Sequence, residues 1–156
     1  MLSENEMKIL AYLRSNGRHT VTQIGHSLGI PRTTVFDKIK KFKKLGLIKN
    51  FTCVINFEQL GHSIQANIFF KARENKDELG ESLRRSSYTN TVIKIGNDYD
   101  FMASMFFPNM NDMHEYLDRI MQKHSVAEHK VYYVAKELKR EGFMNGGSWM
   151  MQGVTA

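Results

Sequence analysis

Cysteine is nearly absent: Cys53 stands alone among 156 residues, so no disulfide can form within one chain and no cysteine-built zinc site is available. Proline occurs only at positions 31 and 108, where it marks a boundary, because it lacks an N–H and disfavours helix in the residue before it. No apolar run approaches the roughly 20 residues that a membrane-spanning helix needs. The first residues also lack the apolar core of a secretory signal. A cytoplasmic protein without membrane attachment is the expectation.

Enzyme signatures are equally thin. There is no phosphate-binding glycine loop and no G-x-G-x-x-G. The six histidines, at 19, 26, 62, 114, 124 and 129, show no H-E-x-x-H or similar ligand spacing, so neither a metal nor any other cofactor is expected. His124 and His129 read as surface residues flanking a turn. Gly25-His26-Ser27-Leu28-Gly29 is literally the G-x-S-x-G of a hydrolase nucleophile elbow. That elbow follows several strands of an α/β sheet, and only 24 residues precede this one. Ser27 and His26 read instead as exposed residues of a short helix. Asp98 and Asp100 flank an aromatic in a turn, where Asp is routine. No enzyme is expected.

Acid is scarce in one place only. Residues 1–50 hold three Asp/Glu against ten Lys/Arg, a net +7, whereas residues 51–156 hold thirteen against twelve, a net −1. All the excess charge of this +6 chain sits in its first third. A localised basic module beside a neutral one points to a polyanion as partner.

Apolar residues make up 42% of the chain, with ten Phe, six Tyr and one Trp, enough for packed cores. Ser3 and Glu6 form a capping box at the head of a helix carrying Ile9, Leu10 and Leu13, and Asn16-Gly17 ends it. A second helix runs from about Thr22, capped by Thr20 or Thr22, to Leu28, with Gly29 as its stop. A third starts at Pro31, a residue suited to a first helical turn, and runs to about Leu45 before Gly46. Two short helices across a tight glycine turn make a helix-turn-helix. Residues 47–56 are rich in β-branched and apolar side chains and read as two short strands, a wing.

The third helix holds six basic residues and one acidic. At 100° per residue Val35, Ile39, Phe42 and Leu45 fall in one sector, toward a core. Thr33, Asp37, Lys40 and Lys44 gather opposite, with Lys41 beside them and Phe36 and Lys43 flanking. In a helix-turn-helix the second helix enters the major groove by its N-terminal residues. Arg32, Thr33, Thr34, Phe36 and Asp37 are therefore candidates for base edges. Lys38, Lys40, Lys41, Lys43 and Lys44, with Arg18 and Lys49, are candidates for phosphates.

Beyond residue 62 the rhythm changes. Residues 64–71 alternate as a strand, 76–87 read as a helix held by Leu79 and Leu83, and 91–95 and 101–107 are strands around the hairpin turn Gly96-Asn97-Asp98-Tyr99-Asp100. Asn109 caps a helix with Met113, Leu117 and Ile120 on one face, and 130–135 close with a strand. The order βαββαβ is that of the ferredoxin-like split unit, so the fold class is α+β. Helices cover one face of such a sheet. The other face, with Phe69, Met102, Phe106 and Val134, calls for a second subunit, so a homodimer is expected. The domains read as 1–50 helix-turn-helix, 51–62 wing and linker strand, 63–141 dimerisation and effector domain, and 142–156 a mobile tail rich in Gly and Met.

Several spaced stretches resemble the Lrp/AsnC (feast/famine) transcriptional regulators. They are Leu2…Ile9-Leu10…Leu13…Asn16-Gly17-Arg18, Leu28-Gly29-Ile30, Leu45-Gly46-Leu47-Ile48, Asp98-Tyr99-Asp100 and Val131-Tyr132-Tyr133-Val134. The resemblance spans about residues 2–140. It implies a winged helix-turn-helix joined to a βαββαβ domain, dimers that assemble into higher oligomers, and double-stranded DNA as partner. It also implies an amino-acid effector bound between dimers near Gly96, Asn97, Asp98, Tyr99 and Asp100. Asn97 stands where the family usually has glycine, and Pro31 where it commonly has a serine cap. The alternative to a sequence-specific regulator is a ligand-independent architectural protein that binds DNA with little sequence preference.

Overall fold

A computed structural model describes residues 2–145. They fall into two compact units, one formed by residues 2–54 together with 138–145, the other by Ile55–Glu137. The expected tail lies, from residue 146, outside the described residues.

The first unit is built on α1 (Glu4–Ser15), α2 (Val21–Leu28) and α3 (Arg32–Lys44). The Ser3–Glu6 capping box forms as expected. Thr20, rather than Thr22, caps α2 and forms a second box with Gln23. Gly29 ends α2 at φ 65°, in the left-handed region that glycine enters without a Cβ penalty. Ile9, Ile24, Val35 and Phe42 make the core, where full burial of each side chain stabilises by about 1.5–3 kcal/mol. Leu45, expected in that core, is 60% exposed. It is the C-cap of α3, where the chain has begun to leave the helix and the wheel no longer applies.

The two-strand wing does not form: among the described residues, 47–56 contain no strand. The backbone N–H groups of Leu47 and Ile48 turn back onto the Phe42 carbonyl, at 2.9 and 3.3 Å. The donors that would begin a ladder instead close the C-terminus of α3.

The second unit opens with a 3-10 turn (Glu58–Leu60), then β1 (Ile64–Ala72), α4 (Lys76–Arg85), β2 (Thr89–Lys94), β3 (Phe101–Phe107), α5 (Met110–Lys123) and β4 (Val126–Tyr133). The antiparallel sheet has the order β2-β3-β1-β4, the ferredoxin-like arrangement expected. Phe69 lies opposite Met102 on β3 and Lys130 on β4. Ala66, Ile68, Phe70, Ala103, Met105 and Phe107 point to the helices and pack with Leu79, Leu83, Met113 and Leu117. Gly80 lets α4 close on the sheet: a Cβ there would meet the Phe101 ring at 2.9 Å.

Some details differ from expectation: β2 starts at Thr89 and α4 ends at Arg85. β4 starts at Val126, four residues before the expected Lys130. Phe106, assigned to the open face, is buried, and the Phe57 ring packs against it at a 47° tilt with centroids 4.5 Å apart.

Candidate nucleic-acid interface and effector hairpin

The helix-turn-helix depends on a missing side chain. A Cβ on Gly25 would sit 2.6 Å from the Ile30 carbonyl oxygen and 3.5 Å from the Arg32 nitrogen. This glycine, the first of the G-x-S-x-G, is what lets the turn into α3 lie directly on α2. The Ile30 N–H donates back to the Gly25 carbonyl at 2.9 Å. Ser27 and His26 are exposed on α2, as expected.

Around α3 the side chains divide by position. Arg32, Thr33, Thr34 and Asp37 are exposed. So is Phe36, at 57%, which leaves it free of the packing that could have claimed it. Pro31 supplies no side-chain cap, so the first turn's N–H groups receive no side-chain acceptor. Lys40 and Lys44 are exposed on the same side, as are Arg18 and Lys49 outside the helix. Lys43 lies over the Phe51 ring, 4.9 Å from its centroid.

Lys38 and Lys41 behave differently. Their ammonium groups donate to Glu6 Oε1 at 2.8 and 3.3 Å, while Glu6 Oε2 accepts from the Ser3 N–H at 2.9 Å. One nearly buried carboxylate thus caps α1 with one oxygen and grips α3 with the other. The Lys38 ammonium first, then the Ser3 N–H, holds its pKa down to about 2, against burial, which raises it. Sequence spacing showed the capping box and gave no sign of these pairs, which join residues 32 and 35 positions apart.

In the second unit the hairpin Gly96–Asp100 is pinned by its last residue. Asp100 accepts from the Ala72 N–H at 2.9 Å and from Lys76 Nζ at 2.6 Å, and its own N–H donates to the Phe70 carbonyl at 2.9 Å. The Lys76 ammonium is the main reason its carboxyl lies below the usual carboxylate range. Asp100 is therefore occupied structurally. Asn97 takes φ 70°, so it fills the left-handed position expected for glycine. Gly96 and Asp98 are exposed.

Tyr99 turns back toward the sheet, where its hydroxyl donates to Glu128 Oε1 at 2.6 Å. With Asn67, Phe69, Met102 and Tyr132 it lines a mostly apolar hollow of about 370 Å³ on the face opposite the helices. No group of His, Cys, Asp and Glu capable of holding a metal occurs among the described residues. No helix among them is long and apolar enough to cross a membrane.

Residues 2–49 match a family described as winged helix-turn-helix DNA-binding. The HTH-type transcriptional regulator FL11 of Pyrococcus horikoshii is 29% identical over 120 residues, covering 76% of this chain and 80% of its own. A transcriptional regulator of Neisseria meningitidis, solved as its L-Met complex, superposes with TM-score 0.82 at 24% identity, over 90% of this chain and 94% of that one. An AsnC family regulator from Agrobacterium tumefaciens gives TM-score 0.81 at 12% identity, over 89% and 94%. These relatives are transcriptional regulators.

Proposed function

We propose that this chain is a helix-turn-helix transcriptional regulator of the Lrp/AsnC type, in which α3 reads DNA sequence with its N-terminal residues and grips phosphate with its outer lysines. The observation that carries this is the division of labour along α3. Arg32, Thr33, Thr34, Phe36 and Asp37 are exposed while Val35 and Phe42 are buried, so the reading side chains are free and the helix is not. Arg32 suits guanine, Asp37 a cytosine amino group, and Phe36 or the threonines a thymine methyl. Lys40 and Lys44, with Lys43, Arg18 and Lys49, suit phosphates. Lys38 and Lys41 are assigned instead to hold α3 on α1 through Glu6, because their ammonium groups already have an acceptor.

The protein acts on double-stranded DNA in the cytoplasm as a homodimer. Support for the dimer is the open sheet face, with Phe69, Met102 and Tyr132 around an apolar hollow that a second sheet would fill. Further association of dimers follows from the resemblance. The L-Met complex of the Neisseria regulator supports an amino-acid effector here, with Tyr99, Asn97 and Asp98 as hairpin candidates and Asp100 as the residue that holds the hairpin in place.

The test is a salt titration of binding to DNA upstream of the protein's own gene, beside a scrambled fragment of equal length. Each phosphate contact contributes roughly 0.9 to the slope of log K against log salt. Lys40→Ala with Lys44→Ala should shallow the slope by roughly 2 per protomer. Lys38→Ala with Lys41→Ala should lower thermal stability and leave most of the slope. Arg32→Ala should relax the preference at one base pair per half-site. A wild-type protein with a steep slope and equal affinity for both fragments would establish the architectural reading in place of this one.

A further inference from the structure

The chain passes between the two units twice, at Val54–Ile55 and again at Glu137–Leu138. The second passage follows closely on β4, which ends at Tyr133. What returns to the first unit is an irregular stretch, residues 138–145, with no helix or strand in it. It meets α1 at Arg14, in the last turn of that helix. The Arg14 guanidinium donates through Nη2 to the Glu141 carboxylate, and through Nε to the Phe143 carbonyl at 3.2 Å. Two bonds from one planar fork fix the stretch in direction as well as in place. Phe143 belongs by sequence to the expected mobile tail, yet its carbonyl is held.

This hold is weak. Leu138 and Phe143 are 88% and 76% exposed, so apolar burial contributes little. The Arg14 and Glu141 side chains are themselves 42% and 55% exposed. An ion pair so open to water contributes little and is screened by salt. The backbone opposes it as well. Glu141 and Met144 both take the left-handed conformation, at φ 51° and 58°, which residues with a Cβ enter at a cost and keep only where their surroundings impose it. A segment with little buried surface, tied through an exposed cation against its own backbone preference, is one that lets go readily.

We propose that residues 138–145 form a releasable latch on α1. Closed, it joins the helix-turn-helix unit to the sheet unit by a second length of chain. Open, it leaves that unit on the 54–55 connection alone. A unit tied at two points samples fewer orientations than a unit tied at one, because closing a loop removes chain freedom. The latch therefore limits how far α1–α3 can swing. Closed, it favours DNA whose half-sites match one geometry, and open, it tolerates others. That consequence rests on the reading of α3 given above, whereas the latch itself does not.

The experiment is 15N NMR relaxation on the full chain, with Arg14→Gln, with Glu141→Gln, and with the charge reversal Arg14→Glu plus Glu141→Arg. In the wild type, 1H–15N NOE values across residues 140–144 should stand nearer those of α1 than those of a free chain end. Either single variant should lower them and widen the difference in tumbling time between amides of α1–α3 and amides of the sheet, with unchanged melting temperature. The reversal should restore most of both, which a merely structural role for either side chain would not produce. Wild-type NOE values as low as those of a chain end would overturn the proposal, and so would values and tumbling times that neither single variant moves. On DNA, moving the half-sites apart by about 5 base pairs, half a helical turn, should penalise Glu141→Gln about threefold less than the wild type. Equal penalties would overturn the part of the latch in spacing. A wild type that binds no DNA would overturn the reading of α3 instead, and relaxation would still decide the latch.

Discussion

Replacing Gly25 by alanine sets two well-known effects against each other. In an ordinary helix interior Gly→Ala stabilises by about 1 kcal/mol, because alanine restricts the unfolded chain. Here the new Cβ would lie 2.6 Å from the Ile30 oxygen, about 0.8 Å inside the 3.4 Å at which ordinary contact begins. The obstruction is backbone, so no rotamer change relieves it, and the Gly25–Ile30 hydrogen bond must move with it. Overpacking of this kind costs about 1–3 kcal/mol, and it must exceed the helix-propensity gain for the net to be a loss. The expected result is a loss of about 1 kcal/mol, or roughly 2–4 °C in Tm. The displacement falls on the start of α3, so preference for native over scrambled DNA should fall more than affinity for random DNA. Urea denaturation and paired binding curves measure both. A Gly25→Ala variant that gains about 1 kcal/mol, with its DNA preference intact, would refute the claim that α2 and the turn touch through this position.

Because the Glu6 carboxyl is held down to about 2 by Lys38, Ser3 and Lys41, its stabilising contribution is complete above the ordinary value near 4.5 and disappears as pH falls from there toward about 2. Acid denaturation followed by circular dichroism should show that loss in the wild type, and Glu6→Gln should be less stable at neutral pH and flatter across this interval. Asp100→Asn should speed amide exchange through residues 96–99 and at Ala72, since it removes the charge that holds Lys76; unchanged exchange would mean that the backbone bonds hold the hairpin alone. Phe36→Ala should weaken specific DNA binding with no loss of Tm, because the ring is 57% exposed; a fall in Tm would show that it packs after all.

Much of the fold could be read directly from short-range signals. The Ser3–Glu6 box, the Asn109 cap, the Gly29 and Gly46 stops and the alternation of β1 each depend on residues two to four apart, so one stretch of chain contains the whole cause. Failures came where the cause lies far along the chain. Lys38 and Lys41 look identical to Lys40 and Lys44 until α1 brings Glu6 beside them. Phe106 alternates onto the open face, and Phe57, 49 positions earlier, packs against it. His124 is polar and ends a helix, so it reads as surface, yet it is only 7% exposed. The head of β4, Val126-Ala-Glu-His, has weak strand character by itself and is a strand because β1 offers it an edge. For the site, residue types at the start of α3 were enough to nominate the reading set. Which lysines of α3 pair with Glu6 was not visible before the helices were packed.

The separation between the exposed first turn of α3 and its buttressed frame also bears on how such a regulator can change. Residues 32, 33, 34, 36 and 37 contribute nothing to the buried core, and the helix is held from behind by Val35, Phe42 and the grip on Glu6. On the proposed reading, substitution at the five outer positions alters what the helix meets in a groove while leaving the packing untouched. New target sites are thus within reach of a few mutations that selection need not screen for folding, and a designer who wishes to redirect the protein can randomise those five positions on an unchanged scaffold.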